Sequence, residues 1–85
     1  MTRYYAVIRY NDGYEVTARG FSKETALASV KSQNDNTQRV YKLNGVDYGP
    51  HGALLSMQEL HGGIESIFIH EYTKTNVYEI DKSSL

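Results

Sequence analysis

The groups in this 85-residue chain that could do chemistry are three histidines, ten acids and a scatter of hydroxyls, with no cysteine at all. His51, His61 and His70 stand ten and nine residues apart. Neither interval puts two imidazoles on one helix face, as a His-x-x-x-His pair would. Glu59 and Glu71 could add oxygen ligands only if the fold gathers them with the histidines. Zinc sites built on thiolates are excluded, and no metal or cofactor is expected. His61 reads instead as a residue of a last helical turn, where a cation suits the dipole. A hydrolytic centre needs a nucleophile, a base and a group that orients the base. Ser56 and Ser66 lie in no Gly-x-Ser-x-Gly turn. The seven glycines are isolated except for Gly62-Gly63, so no phosphate-cradling loop is present. No catalytic residue is assigned, and the chain is not expected to be an enzyme.

Binding chemistry is better represented. Eight tyrosines and no tryptophan supply large rings with polar tips, the residue type enriched at interfaces. Tyrosine also suits strands, but eight rings exceed what so small a core can hold. Tyr5, Arg9, Arg19, Arg39 and Tyr41 are the leading partner-binding candidates, with Tyr48 and Tyr72 behind them. Arg3, Tyr5 and Arg9 share one face of a predicted strand, and Arg19, Arg39, Tyr41 and Lys42 fall on predicted neighbours. Basic groups interleaved with rings could contact phosphates and stack bases. An RRM signature is missing, however, and the isoelectric point is near 6.3 rather than above 9. Charge is unevenly spread. Residues 1–42 carry seven Lys/Arg against four acids, and residues 43–85 carry two against six. Such asymmetry can mark a partner surface, or the halves can interleave and cancel.

The elements that must position these groups read as follows. Residues 3–10 alternate as a strand, with Tyr4, Ala6, Ile8 and Tyr10 on one face. Asn11-Asp12-Gly13 is a turn, and residues 14–19 fold back with Tyr14, Val16 and Ala18 inward. Ser22 is a helix N-cap with Glu24 in the first turn. Ala26, Leu27 and Val30 make the apolar stripe of that helix, and Asn34-Asp35-Asn36 ends it. Residues 37–43 read as a third strand. Asn44-Gly45 predicts a type I′ turn into a short fourth strand, Val46-Asp47-Tyr48. Residues 53–61 have helical spacing, with Leu54, Met57 and Leu60 inward and Gly62-Gly63 as the stop. Residues 64–73 are strand-like, with Ile67 and Ile69 on one face and Phe68, His70 and Tyr72 on the other. A turn at Lys74-Thr75-Asn76 leads to a last strand at 77–81, and residues 82–85 read as a frayed tail.

The order ββα-ββ-α-ββ predicts a single α+β domain over residues 1–85: an antiparallel sheet with one or two helices packed on one face. A chain this short buries about 60–65% of its unfolded surface, so a closed ligand cavity of about 300–1,000 Å³ would empty its core. The absence of cysteine points to a reducing, cytoplasmic setting. No apolar run approaches the roughly 18 residues of a membrane span, and the first residues lack a signal-peptide pattern. A homodimer is plausible through exposed strand edges such as residues 64–73.

The segment from Tyr4 to Val16, then Gly20 and Ser22 to Lys31, resembles the start of HicB-type antitoxins. Those begin with a hairpin around an acidic-Gly turn, followed by a glycine, a Thr/Ser cap and an Ala-Leu helix. The Pro-Asp-Leu-Pro-Gly-Cys-type stretch of that family is absent here. What the resemblance implies is the ββα architecture and a toxin-neutralising mode of action. Small size, acid-leaning charge and many tyrosines are also similar in character to phage-encoded inhibitors of host defence proteins. The expected function is a non-catalytic inhibitor whose partner is a protein, a toxin or nuclease. RNA binding through a basic, tyrosine-rich sheet face is the alternative.

Overall fold

A computed structural model of the chain describes residues 3–85; Met1 and Thr2, with which the N-terminal stretch read for a signal peptide begins, lie outside them. Strand alternation builds the first unit. β1 (Tyr4–Tyr10) pairs antiparallel with β2 (Glu15–Gly20), Tyr4 opposite Gly20 and Arg9 opposite Glu15. The turn works because Gly13 takes φ +91° and the Asp12 carboxylate accepts the Tyr14 N–H at 2.9 Å. α1 (Lys23–Asn34) starts at Ser22, whose side chain and that of Thr25 cap each other's backbone. Ala26 and Val30 on its inner face are fully buried, and Leu27 packs beside them.

Gly20 lets α1 lie against β2. A Cβ there would sit 2.4 Å from the Ala26 nitrogen and from Thr25 Oγ1. Gln33 ties the same contact from the other end, donating to the Thr17 carbonyl at 2.8 Å.

The main sheet has the order β2-β1-β7-β8, where β7 is Ile64–Glu71 and β8 is Val77–Ile80. All its pairings are antiparallel. One face, made of Ala6, Ile8, Tyr10, Val16, Ala18, Ile67 and Ile69, packs on α1 and forms the core. Tyr10 is fully buried, and its hydroxyl donates to Asn34 Oδ1 at 2.7 Å. The architecture is therefore α+β, an antiparallel sheet with a helix packed on one face. Residues 64–73 are not an edge, contrary to expectation. β7 returns between β1 and β8, so both its sides are paired and the free edges are β2 and β8.

The excursion between α1 and β7 differs from the expected strand pair and helix. The third strand breaks at Tyr41 into β3 (Thr37–Val40) and β4 (Lys42–Leu43). β4 turns through Asn44 (φ +52°) and Gly45 (φ +80°) into β5 (Val46–Asp47), as the Asn-Gly pair predicts. β3 pairs instead with β6 (Ala53–Ser56), a strand where a helix was expected. Only Met57–His61 is helical, as α2, because Ser56 caps it in a reciprocal box with Glu59. Strand spacing therefore governs Leu54 and Leu55. Leu55 is buried, while Leu54, expected inward, is 60% exposed. Met57 and Leu60 do pack against the core.

β3 to β6 form a two-stranded arm outside the main sheet. The arm stretches the molecule to 50 × 19 × 18 Å, with a radius of gyration of 14.9 Å. A compact chain of this length would give about 12 Å. The expected frayed end forms a 3-10 turn over Lys82–Ser84 capped by Asp81, and Leu85 packs against the core. No helix among the described residues is long and apolar enough to cross a membrane.

Candidate functional site

Because side chains alternate along a strand, the face of the sheet opposite α1 carries Tyr5, Val7 and Arg9 from β1. Register sets their neighbours. One row runs Arg19, Tyr5, His70, Val77; the next runs Thr17, Val7, Phe68, Glu79; the third runs Glu15, Arg9, Ser66. Among the described residues no helix covers this face: α1 lies on the other.

Its centre is aromatic. The Tyr5 ring stacks on His70 with centroids 4.5 Å apart and planes 4° apart, and Tyr72 leans on Tyr5 at 5.0 Å and 46°. Tyr72 is brought there by its N–H, which donates to the Arg3 carbonyl at 2.9 Å and extends the β1–β7 pairing. These rings, with Arg19, Lys74 and Val77, line an open recess of about 630 Å³. Behind the recess, on the α1 side of the sheet with Ile67 and Ile69, the buried Glu71 carboxylate meets Lys74 Nζ at 3.6 Å and accepts from the Tyr78 hydroxyl at 3.4 Å.

Charge on this face is balanced. Arg9 stands opposite Glu15 and lies 3.6 Å from Glu65, Glu79 lies across the sheet on β8, and Arg19, Lys74 and Arg3 gather at the Tyr5 end. An exposed pair of this kind adds about 0–1 kcal/mol to stability; its larger effect is to cancel a positive centre.

The partner-binding candidates thus divide. Tyr5, Arg9, Arg19 and Tyr72 belong to the open face. Arg39, Tyr41 and Tyr48 do not join them, because β3 pairs with β6 and never enters the main sheet. They sit on the arm, where Arg39 donates to the His51 carbonyl and the Tyr48 N–H donates to the Tyr41 carbonyl. The single basic face expected from the sequence is two separate surfaces. Phe68 and His70 are members of the site beyond the partner-binding candidates. Their alternation with Ile67 and Ile69 is visible in the sequence, and only the strand order shows His70 beside Tyr5 and Phe68 beside Val7.

The histidines also separate. His51 is exposed on the arm and His70 lies on the open face. His61 meets Asp12, with Nδ1 2.6 Å from Oδ2, and its ring stacks on Tyr14 at 4.2 Å. Tyr14, expected inward, is half exposed on this stack. The Tyr14 N–H, and then the His61 contact, hold the Asp12 carboxyl below its ordinary value. The pair ends in a groove lined by Asn11, Gln38, Asn44 and Glu59 among others, none of its lining residues bearing a hydroxyl or thiol. Among the described residues, no three His, Cys, Asp or Glu side chains converge as metal ligands. Comparison with protein-family models, curated proteins and solved structures returns no match.

Proposed function

We propose that this chain is a non-catalytic binding protein that neutralises a partner protein by covering it with the open face of the main sheet. An antitoxin or an inhibitor of a host toxin or defence nuclease would act in this way. The observation that carries the proposal is the ring cluster of Tyr5, His70 and Tyr72 on the face opposite α1, rimmed by charges of both signs. Apolar rings at the centre and polar groups at the rim describe a protein interface. A phosphate backbone calls for a clear excess of positive charge, and here Glu15, Glu65 and Glu79 stand among Arg3, Arg9, Arg19 and Lys74, leaving little net charge. Protein is therefore favoured over RNA as the occupant.

The face is small. Four strands about 4.8 Å apart and seven residues of about 3.3 Å give roughly 440 Å² in projection, against about 800 Å² per partner in a standard interface. Affinity must then be concentrated in a few anchors, and removing Tyr5 should cost at least about 2 kcal/mol of binding.

The test is capture from nuclease-treated lysate of a candidate host by three immobilised proteins: wild type, Tyr5→Ala/Tyr72→Ala, and Arg39→Ala/Tyr41→Ala. A protein held by the wild type and the arm variant, lost with the face variant, and inhibited on adding the wild type meets the expectation. A captured protein indifferent to the face variant, or capture that vanishes with nuclease, sinks it. Steep loss of binding with salt would point to RNA.

A further inference from the structure

β2 is a free edge of the main sheet, and an unpaired edge is a template for another strand. The Thr17 carbonyl accepts from Gln33 rather than from β1, whereas the Tyr14 carbonyl accepts from Tyr10. In an antiparallel strand the N–H and C=O of one residue point the same way and alternate along the chain. The backbone groups of Glu15, Thr17 and Arg19 therefore face outward from the edge.

Their side chains form a pattern that complements itself. If two copies pair antiparallel about Thr17, Glu15 stands opposite Arg19 of the second copy, and Arg19 opposite its Glu15. Thr17 meets its own counterpart, and Val16 stands opposite Ala18 on the core side. Opposite-charge and Thr–Thr pairs are favourable cross-strand partners. A two-fold axis demands this self-complementarity, and a different protein would not. The other free edge, β8, offers no such match: Glu79 is its only charged residue.

α1 reaches the edge at Gln33, whose side chain meets the Thr17 carbonyl. Thr25 and Ser29 share the stripe of Gln33 at four-residue intervals, and their small size lets two copies of α1 approach over the paired strands. The Thr17 carbonyl has two acceptor sites, so Gln33 and an incoming N–H can share it. From these observations we infer that two copies of this chain pair along β2 about Thr17, joining their main sheets into one eight-stranded sheet.

Sedimentation equilibrium of the full chain over a micromolar concentration series reads the association. Glu15→Arg alone, and Arg19→Glu alone, turn two attractive pairs per dimer into repulsive ones and should each weaken the dimer about tenfold. The double variant Glu15→Arg/Arg19→Glu restores both pairs and should return to the wild-type value. Gln33→Ala uncovers the edge and should tighten the dimer. Circular dichroism confirms that each variant is folded. Hydrogen exchange on the wild type needs no variant: the Glu15, Thr17 and Arg19 amides should slow with rising concentration while those of β8 do not. A wild-type chain that stays monomeric throughout, a dimer indifferent to the single reversals, or a double variant that stays weak overturns the assignment.

Discussion

Tyr10→Phe removes one oxygen from the centre of the molecule, and the structure sets what that should cost. The Tyr10 ring is fully buried, and Asn34, which accepts its hydroxyl proton at 2.7 Å, is 5% exposed. Losing a neutral hydrogen bond costs about 1 kcal/mol, and stranding a buried amide carbonyl brings the total to about 1–3 kcal/mol. About 2 kcal/mol is the expected loss. A chain of this length has roughly 4–13 kcal/mol in total, so the deletion is a substantial fraction. At about 4–8 °C per kcal/mol, Tm should fall by roughly 8–16 °C. Urea unfolding followed by circular dichroism measures it, with m unchanged if only the native state is affected. The companion variant Tyr10→Phe/Asn34→Leu removes both polar groups and should lie closer to wild type than the sum of the single changes. The same hydroxyl gives a pH signature. Burial first, then Tyr14 and Asp35, push its pKa above 10.0. Its contribution is intact below about pH 10, the unfolded value. It is lost as pH rises through the higher folded value, and Tyr10→Phe should remove that part of the alkaline decline. A Tyr10→Phe protein within about 0.5 kcal/mol of wild type, or a strictly additive pair, would refute the reasoning.

Three further outcomes are expected. Gly20→Ala drives a methyl into the α1 backbone at Ala26 and should destabilise by about 1–3 kcal/mol in the same urea assay. Leu55→Ala should cost about 2 kcal/mol or more, whereas Leu54→Ala should stay within about 0.5 kcal/mol, since only Leu55 is buried; the reverse order would restore the helical assignment of residues 53–56. Because its neighbours lower the Asp12 pKa from 3.8, the Asp12 contribution is present above about pH 4 and disappears as pH falls through the lower folded value. Asp12→Asn should therefore show less acid-induced loss than wild type between those values, read as the difference between their urea midpoints.

The parts of the fold that were legible in the sequence are those decided by neighbours along the chain. The Asn11-Asp12-Gly13 turn, the Ser22 cap and the Asn44-Gly45 turn each depend on residues within a few positions, and each forms. Leu54 and Leu55 were illegible because an adjacent apolar pair satisfies both a helical and an alternating pattern. What separates them is pairing with β3, more than ten residues upstream. The central position of β7 likewise follows from the chain returning beside β1 after the arm, an event with no local signature. The site shares this division. Tyr5, Arg9 and Arg19 could be placed on one face from alternation within the hairpin. Arg39 and Tyr41 were grouped with them because strand membership in a sheet is not written in the strand.

The arm has one more consequence, for how this protein can change. Its strands have no neighbours beyond each other, and Tyr41, Val46 and Leu54 on it are at least half exposed. Apart from Leu55, little packing ties the identity of those positions to the fold. Substitutions there can accumulate at almost no folding penalty, whereas the sheet beneath Tyr10 tolerates few. The chain therefore carries exposed positions free to drift toward new contacts, on an arm whose turns at Asn44-Gly45 and Gly52 stay fixed.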